Sequence, residues 1–158
     1  MSENGNIKAN TSFADQRFQH PSPGLGAVGQ YQTSGIPYVT ASVLVGTPYV
    51  ATGHSNTIEV SFPYVTKFVT VVNDHSGSSA KLRVGFSSLG ITGSDGGNAT
   101  GENYFILDNG ESYTGEFRVS KLFLLGDASE TTASVIAGMT GIPAGKLQTN
   151  WSGTSGVG

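Results

Sequence analysis

The chain has no cysteine, a single tryptophan and only 12% charged residues, and its longest apolar stretch, FVTVV, is strand-sized. Without cysteine, neither a disulfide nor a thiolate metal site can form, so stability has to come from packing or assembly. The absence fits folding in a reducing cytoplasm. The eight Lys and Arg are scattered from Lys8 to Lys146 within a net charge of −3. Nucleic-acid binding needs clustered cations to displace counterions, so a DNA or RNA partner is not expected. No run approaches the length that spans a bilayer as a helix, and no membrane role is expected. The opening MSENGNIKANTSF lacks the apolar centre of a signal peptide. A chain folded in the cytoplasm is therefore the expectation.

What the chain does have is 23 Gly, 19 Ser and 16 Thr, together more than a third of its residues. So many small and β-tolerant residues, with so few Lys and Glu to build solvated helix faces, predict short strands joined by Gly-rich turns and little helix. The length suits one domain with tails. Residues 1–30 are poor in apolar side chains and rich in Gly, Pro, Asn and Gln, and read as an extended N-terminal arm. Residues 31–141 carry the β pattern, and residues 142–158 read as a C-terminal tail.

Within that domain, IPYVTASVLV (36–45) is rich in branched residues. TIEVSF sets Ile58, Val60 and Phe62 on one side and Glu59 and Ser61 on the other, as a half-buried strand does. YVTKFVTVV (64–72) is apolar on both faces and reads as a central strand. KLRVGF turns Leu82, Val84 and Phe86 inward and Lys81 and Arg83 outward. KLFLL (121–125) and TTASVIAGM (131–139) complete the set. Pro-Tyr-Val recurs at Pro37, Pro48 and Pro63 with unequal spacing, marking strand starts rather than a repeat. Asn109-Gly110 joins NYFILD to ESYTGEFRV, and Asn-Gly between alternating runs predicts a hairpin with a type I′ turn. In the second run Tyr113, Phe117 and Val119 share one face, and Thr114, Glu116 and Arg118 the other. Residues 87–103 form the longest stretch without regular pattern. Eight or nine strands at this spacing predict an all-β fold, an antiparallel β-sandwich with jelly-roll or Greek-key connections.

No constellation in the chain carries a reaction. His20, His54 and His75 lie in the arm and in turn clusters, and a zinc site would need three or four convergent ligands. Asp95, Asn98 and Glu102 lack the alternating oxygens of a calcium loop. Asp108 and Glu111 flank a tight turn, and turn polarity accounts for them without glycosidase chemistry. GHSN and NDHSG place Ser beside His in sequence, but no Gly-x-Ser-x-Gly elbow is present. The Gly-rich segment 93–101 lacks the lysine of a phosphate cradle. No catalysis, cofactor or metal is expected. Trp151 is a large aromatic in the flexible, polar tail, and such a residue anchors either on its own domain or on a partner. Phe13, Phe18, Tyr31 and Trp151 are the interface candidates.

Four segments resemble one family: GQYQTSGIPYVTAS (29–42), SFPYVTKFVTVVND (61–74), LDNGESYTGEFRVSKLFLL (107–125) and TGIPAGKLQTNWSGTSGVG (140–158). They are similar to small β-sandwich virion structural proteins of marine tailed phages and related double-stranded DNA viruses. The resemblance implies a capsid decoration or cement protein on the virion surface. Its partners would be the major capsid protein and copies of itself, as a homotrimer. A carbohydrate- or host-binding module of a tail fibre is the alternative.

Overall fold

Alternating branched and aromatic residues form eight strands among the residues described by the computed structural model, which are 23–47, 56–77, 80–92 and 103–147. The strands are β1 (Ile36–Val45), β2 (Ile58–Ser61), β3 (Tyr64–Asn73), β4 (Leu82–Gly85), β5 (Tyr104–Leu107), β6 (Ser112–Gly115), β7 (Lys121–Gly126) and β8 (Thr131–Pro143). Two five-residue helices, α1 (Val28–Gln32) and α2 (Ser88–Thr92), and a 3₁₀ turn at Ala144–Lys146 complete the described elements. Pro63 stands just before β3 and Pro37 is the second residue of β1, an edge strand, both places where a residue without an amide donor is tolerated. Pro48 lies outside the described residues.

The strands form two four-stranded sheets, β1-β8-β3-β6 and β2-β7-β4-β5, with every neighbouring pair antiparallel. The pairs β1·β8, β2·β7, β3·β6 and β4·β5 are those of one long ribbon folded across both sheets. The sheets enclose one core, in which Val45, Leu82, Val84, Leu124 and Val135 have no exposure. Tyr38 meets Phe62 edge to face at 5.1 Å, and Phe86 meets Phe117 in the same way at 5.0 Å. Burying a Val or Leu side chain stabilises the fold by about 1.5–3 kcal/mol, which makes this layer the main source of stability in a chain without disulfides. The antiparallel β-sandwich expected from the sequence is the observed architecture.

The described residues 46–47, 56–57, 74–77, 80–81, 108–111 and 127–130 lie together at one end of the sandwich, here called the crown. Backbone hydrogen bonds from Gly126 to Gly46 and from Asp127 to Lys81 join them. The other end, the base, carries α1, residues 116–120 and the 3₁₀ turn.

Four details differ from the sequence reading. The turn at Asn109-Gly110 forms, with Glu111 N–H donating to Asp108 O, but it does not make a hairpin: β5 belongs to one sheet and β6 to the other. Only Gly110 has a positive φ, +76°, the pattern of a type II turn rather than the expected type I′. Both sides of the turn are tied instead to the end of β3, since Gly110 N–H donates to Asn73 O and Asn73 N–H donates to Glu111 O.

The run 111–119 is a ladder only to Gly115, because beyond it the chain crosses between sheets. Phe117 still packs on the core while Thr114, Glu116 and Arg118 stay exposed, so the alternation survives without the ladder. The stretch expected to be irregular from residue 87 opens with α2. Ile91 of that helix is fully buried and fills the space over Gly85, where a Cβ would approach it to 3.2 Å. Finally, the expected boundaries shift at both ends. Residues 23–32 are a turn and helix held on the sandwich, and β8 continues past 141 to Pro143.

Candidate functional site

Phe13, Phe18 and Trp151 lie outside the described residues, as do His20, His54 and the Asp95, Asn98, Glu102 group. Tyr31 is described. It sits in α1, half-buried, with the Arg118 guanidinium 4.5 Å from its ring centre and its hydroxyl buried without a hydrogen-bond partner. Sequence reasoning offered Tyr31 as a contact for another subunit, and within this chain it already contacts Arg118.

Around Tyr31 is a basal cleft of about 200 Å³ lined by Tyr31, Lys67, Glu116, Phe117 and Arg118. Its two cations reach across to the segment that precedes β1. Lys67 Nζ donates to Thr33 O, and Arg118 Nη1 donates to Leu25 O at 3.3 Å. Lys146 donates to Pro23 O at 3.1 Å, and Gly141 N–H to Gln30 Oε1 at 3.0 Å. Segment 23–33 is thus pinned to the base by polar contacts. Nothing in the local sequence marks these cations as a group, because they lie up to 79 residues apart and only the fold gathers them.

At the crown the acidic residues suggested by sequence are engaged in structure. Asp108 pairs with Lys81 at 2.9 Å, and Glu111 accepts from Asp108 N–H at 2.9 Å. The Asp108 carboxylate holds the Lys81 ammonium above the usual lysine range. Asp127 pairs with Arg83 at 2.7 Å, and Arg83 also lies 4.4 Å from the ring centre of Tyr104. Among the described residues, no group of three or more His, Asp or Glu is placed to hold a metal ion.

The broadest feature is the outward face of the β1-β8-β3-β6 sheet. Register sets Val39, Ile136, Thr70 and Thr114 in one row across four strands, and a 2.8 Å contact between the two threonine hydroxyls places them on the same side. Leu44 and Thr132 are partners towards the crown, and Pro37, Gly138 and Phe68 form a row towards the base. Val39 is 69% exposed, Leu44 65% and Ile136 43%. None of the residues in these rows is charged, and in the row between Ile136 and Thr132, formed by Ser134, Val72 and Ser112, the Ser134 hydroxyl donates to the Asp74 carboxylate; the face is apolar and hydroxyl-bearing, with one carboxylate at its crown side. The sequence suggested this in YVTKFVTVV, apolar on both faces.

The free edge of β1 is blunted. Its pairing with β8 is irregular between Thr40 and Val43, and Ser42 takes a left-handed φ of +55°. A bulge and a proline at Pro37 both discourage strand addition at such an edge, so the sheet face is the more accessible surface.

No family model matches the chain, and no curated protein matches it. Among solved structures it is similar to a protein from Bacillus endospore appendages, described as forming a novel family of disulfide-linked pili. The identity is 14%, 68% of this chain and 91% of that one are covered, and the TM-score is 0.35. At that score the similarity supports no assignment of fold or function.

Proposed function

We propose that the protein is a structural subunit without enzymatic activity, a capsid decoration or cement protein that seats on a viral shell and packs against copies of itself. The observation that carries this reading is the outward face of the β1-β8-β3-β6 sheet, with Val39 and Ile136 exposed side by side and Leu44 two rows nearer the crown. Scattered surface apolar residues are ordinary, but exposed branched side chains lined up with hydroxyls on a regular sheet are what a protein contact uses. The resemblance of the segments beginning at Gly29, Ser61, Leu107 and Thr140 to virion structural proteins points the same way. The strand order β1-β8-β3-β6 over β2-β7-β4-β5, with its nested pairs, supports reading the sandwich as a jelly roll. The shell's major capsid protein and two further copies in a homotrimer are the partners of this reading, and the virion surface is its place.

The test adds the purified chain to shells stripped of their decoration, beside a Val39→Asp/Ile136→Asp variant. Stoichiometric binding that raises the melting temperature of the shell is expected for the wild type. The variant should lose binding while the isolated domain melts as before. A wild type that ignores the shells overturns the proposal, and a specific signal on a glycan array would favour a fibre module instead.

A further inference from the structure

The six cations among the described residues divide into two sets. Lys81, Arg83 and Lys121 each hold a carboxylate, those of Asp108, Asp127 and Glu59. Lys67, Arg118 and Lys146 hold main-chain carbonyls and no carboxylate, Arg118 also lying over the Tyr31 ring, and all three stand at the base. A carbonyl dipole leaves a full positive charge uncompensated, whereas a carboxylate neutralises it and gives a shorter, stronger bond. Arg118 commits one terminal nitrogen to Leu25 O, and no carboxylate approaches the rest of its guanidinium among the described residues. Beside it lie the cleft of about 200 Å³ and the buried Tyr31 hydroxyl, which has no partner. Glu116 also lines the cleft but pairs with neither cation, so the cleft keeps a net positive charge.

The crown has the opposite surplus. Asp74, Glu111 and Glu130 hold no cation: Asp74 accepts from Ser134, Glu111 accepts from a backbone N–H, and all three are exposed. Counting described residues, the crown carries Asp74, Asp108, Glu111, Asp127 and Glu130 against Lys81 and Arg83, a balance of −3. The base region carries Lys67, Arg118, Lys121 and Lys146 against Glu59 and Glu116, a balance of +2. Among the described residues the sandwich is polarised along its strands.

We propose that the basal cleft is a carboxylate-binding site filled by an acidic crown turn of a second copy of this chain, in a head-to-tail contact. Three cations without a carboxylate partner at one end, set beside the single unpaired carboxylate of Glu116, match three uncompensated carboxylates at the other, and a second copy brings the complementary set in one piece. Such a contact is heterologous, using a different surface on each subunit, and leaves one free crown and one free base at the ends of each row. Exposed ion pairs are individually weak, and it is their sum across the contact that holds the subunits. The contact uses the ends of the sandwich and does not depend on the sheet face seating on a shell.

Sedimentation of the full chain across a salt series tests this. Association is expected to weaken at least tenfold between about 0.01 M and 1 M salt, where the screening length falls from about 30 Å to about 3 Å. Lys67→Glu/Arg118→Glu and Glu111→Lys/Glu130→Lys should each fold, as judged by melting, and each fail to associate alone. Their equimolar mixture should associate again, because every crown then meets a base of opposite charge. Association that is indifferent to salt, or a mixture of folded variants that stays monomeric, overturns the proposal. Val39→Asp/Ile136→Asp should keep the salt-dependent association, which separates this contact from the sheet-face reading.

Discussion

The side-chain oxygen of Asn73 accepts a 2.9 Å hydrogen bond from the Thr131 hydroxyl, and neither residue has any exposure to solvent. The Asn73 amide nitrogen donates in turn to Ala80 O at 2.7 Å and to Leu107 O at 3.1 Å. One side chain thereby ties the end of β3 to the start of β8, to the connection before β4 and to the end of β5. It joins both sheets at the crown.

Replacing Asn73 with Ala leaves two carbonyls and a hydroxyl buried without their partner. Each unsatisfied buried group costs about 1–3 kcal/mol, so a loss of about 3–5 kcal/mol is expected. Urea unfolding followed by tryptophan-independent circular dichroism measures it. A loss below about 1 kcal/mol would show that the clasp is ornamental.

Thr66 does the equivalent work at the base. Its hydroxyl donates to Phe117 O at 2.6 Å and accepts from Val119 N–H at 3.0 Å, holding the chain where it leaves one sheet for the other. Thr66→Val keeps the shape and strands both groups, at a cost of about 2 kcal/mol. Thr70→Val on the exposed face, where the hydroxyl meets only Thr114, should cost under about 0.5 kcal/mol. Equal losses in the two variants would contradict the assignment.

Gly126 closes β7 where a Cβ would lie 2.3 Å from Ser129 O and 3.1 Å from Gly46 O. Both obstacles are backbone, which cannot swing aside as a side chain does. Gly126→Ala is therefore expected to destabilise by about 2 kcal/mol or more, in the range of overpacked cores. Gly145→Ala, with nothing within 4 Å, serves as the neutral comparison in the same thermal melts.

Lys121 reaches Glu59 at 2.7 Å, and the Ser61 hydroxyl donates to the same carboxylate. The Lys121 contact first and the Ser61 bond second hold the Glu59 carboxyl below the usual glutamate range. A depressed folded-state value means that the pair's contribution is complete above the ordinary glutamate value and fades as pH falls through the lower one. A carbon-detected NMR titration of Glu59 should show the low midpoint, and Lys121→Ala should move it back up. An unchanged midpoint would refute the coupling. The pair is exposed, so its effect on overall stability is expected to be small.

Much of the fold was legible because its signals are local. The alternation in TIEVSF and KLRVGF placed β2 and β4 to within a residue or two and named their inward faces, and the apolar run KLFLL placed β7. The Asn109-Gly110 turn was legible too, since a left-handed φ is a property of single residues. Its consequence was not. Whether two strands flanking a turn pair with each other depends on which edges are free elsewhere, and here β5 pairs with β4 and β6 with β3. Asn73 shows the same limit. In sequence it opens a turn cluster, NDHSGSS, and its partners Leu107 and Thr131 are 34 and 58 residues away.

The candidate surfaces divide along the same line. A period of two says which side chains share a face, so the uncharged rows carrying Val39 and Ile136 follow from the strands themselves. Which face is left open follows from the stacking of the sheets. The polarity between crown and base has no local signal at all, because Lys67, Arg118 and Lys146 belong to different elements. The sequence by itself determined strands, turns and the β class, since these depend on neighbours one to four residues apart. Only the tertiary structure decided which strands pair, which polar groups are buried together and where charge accumulates, because those depend on contacts that a single folded chain brings together across its whole length.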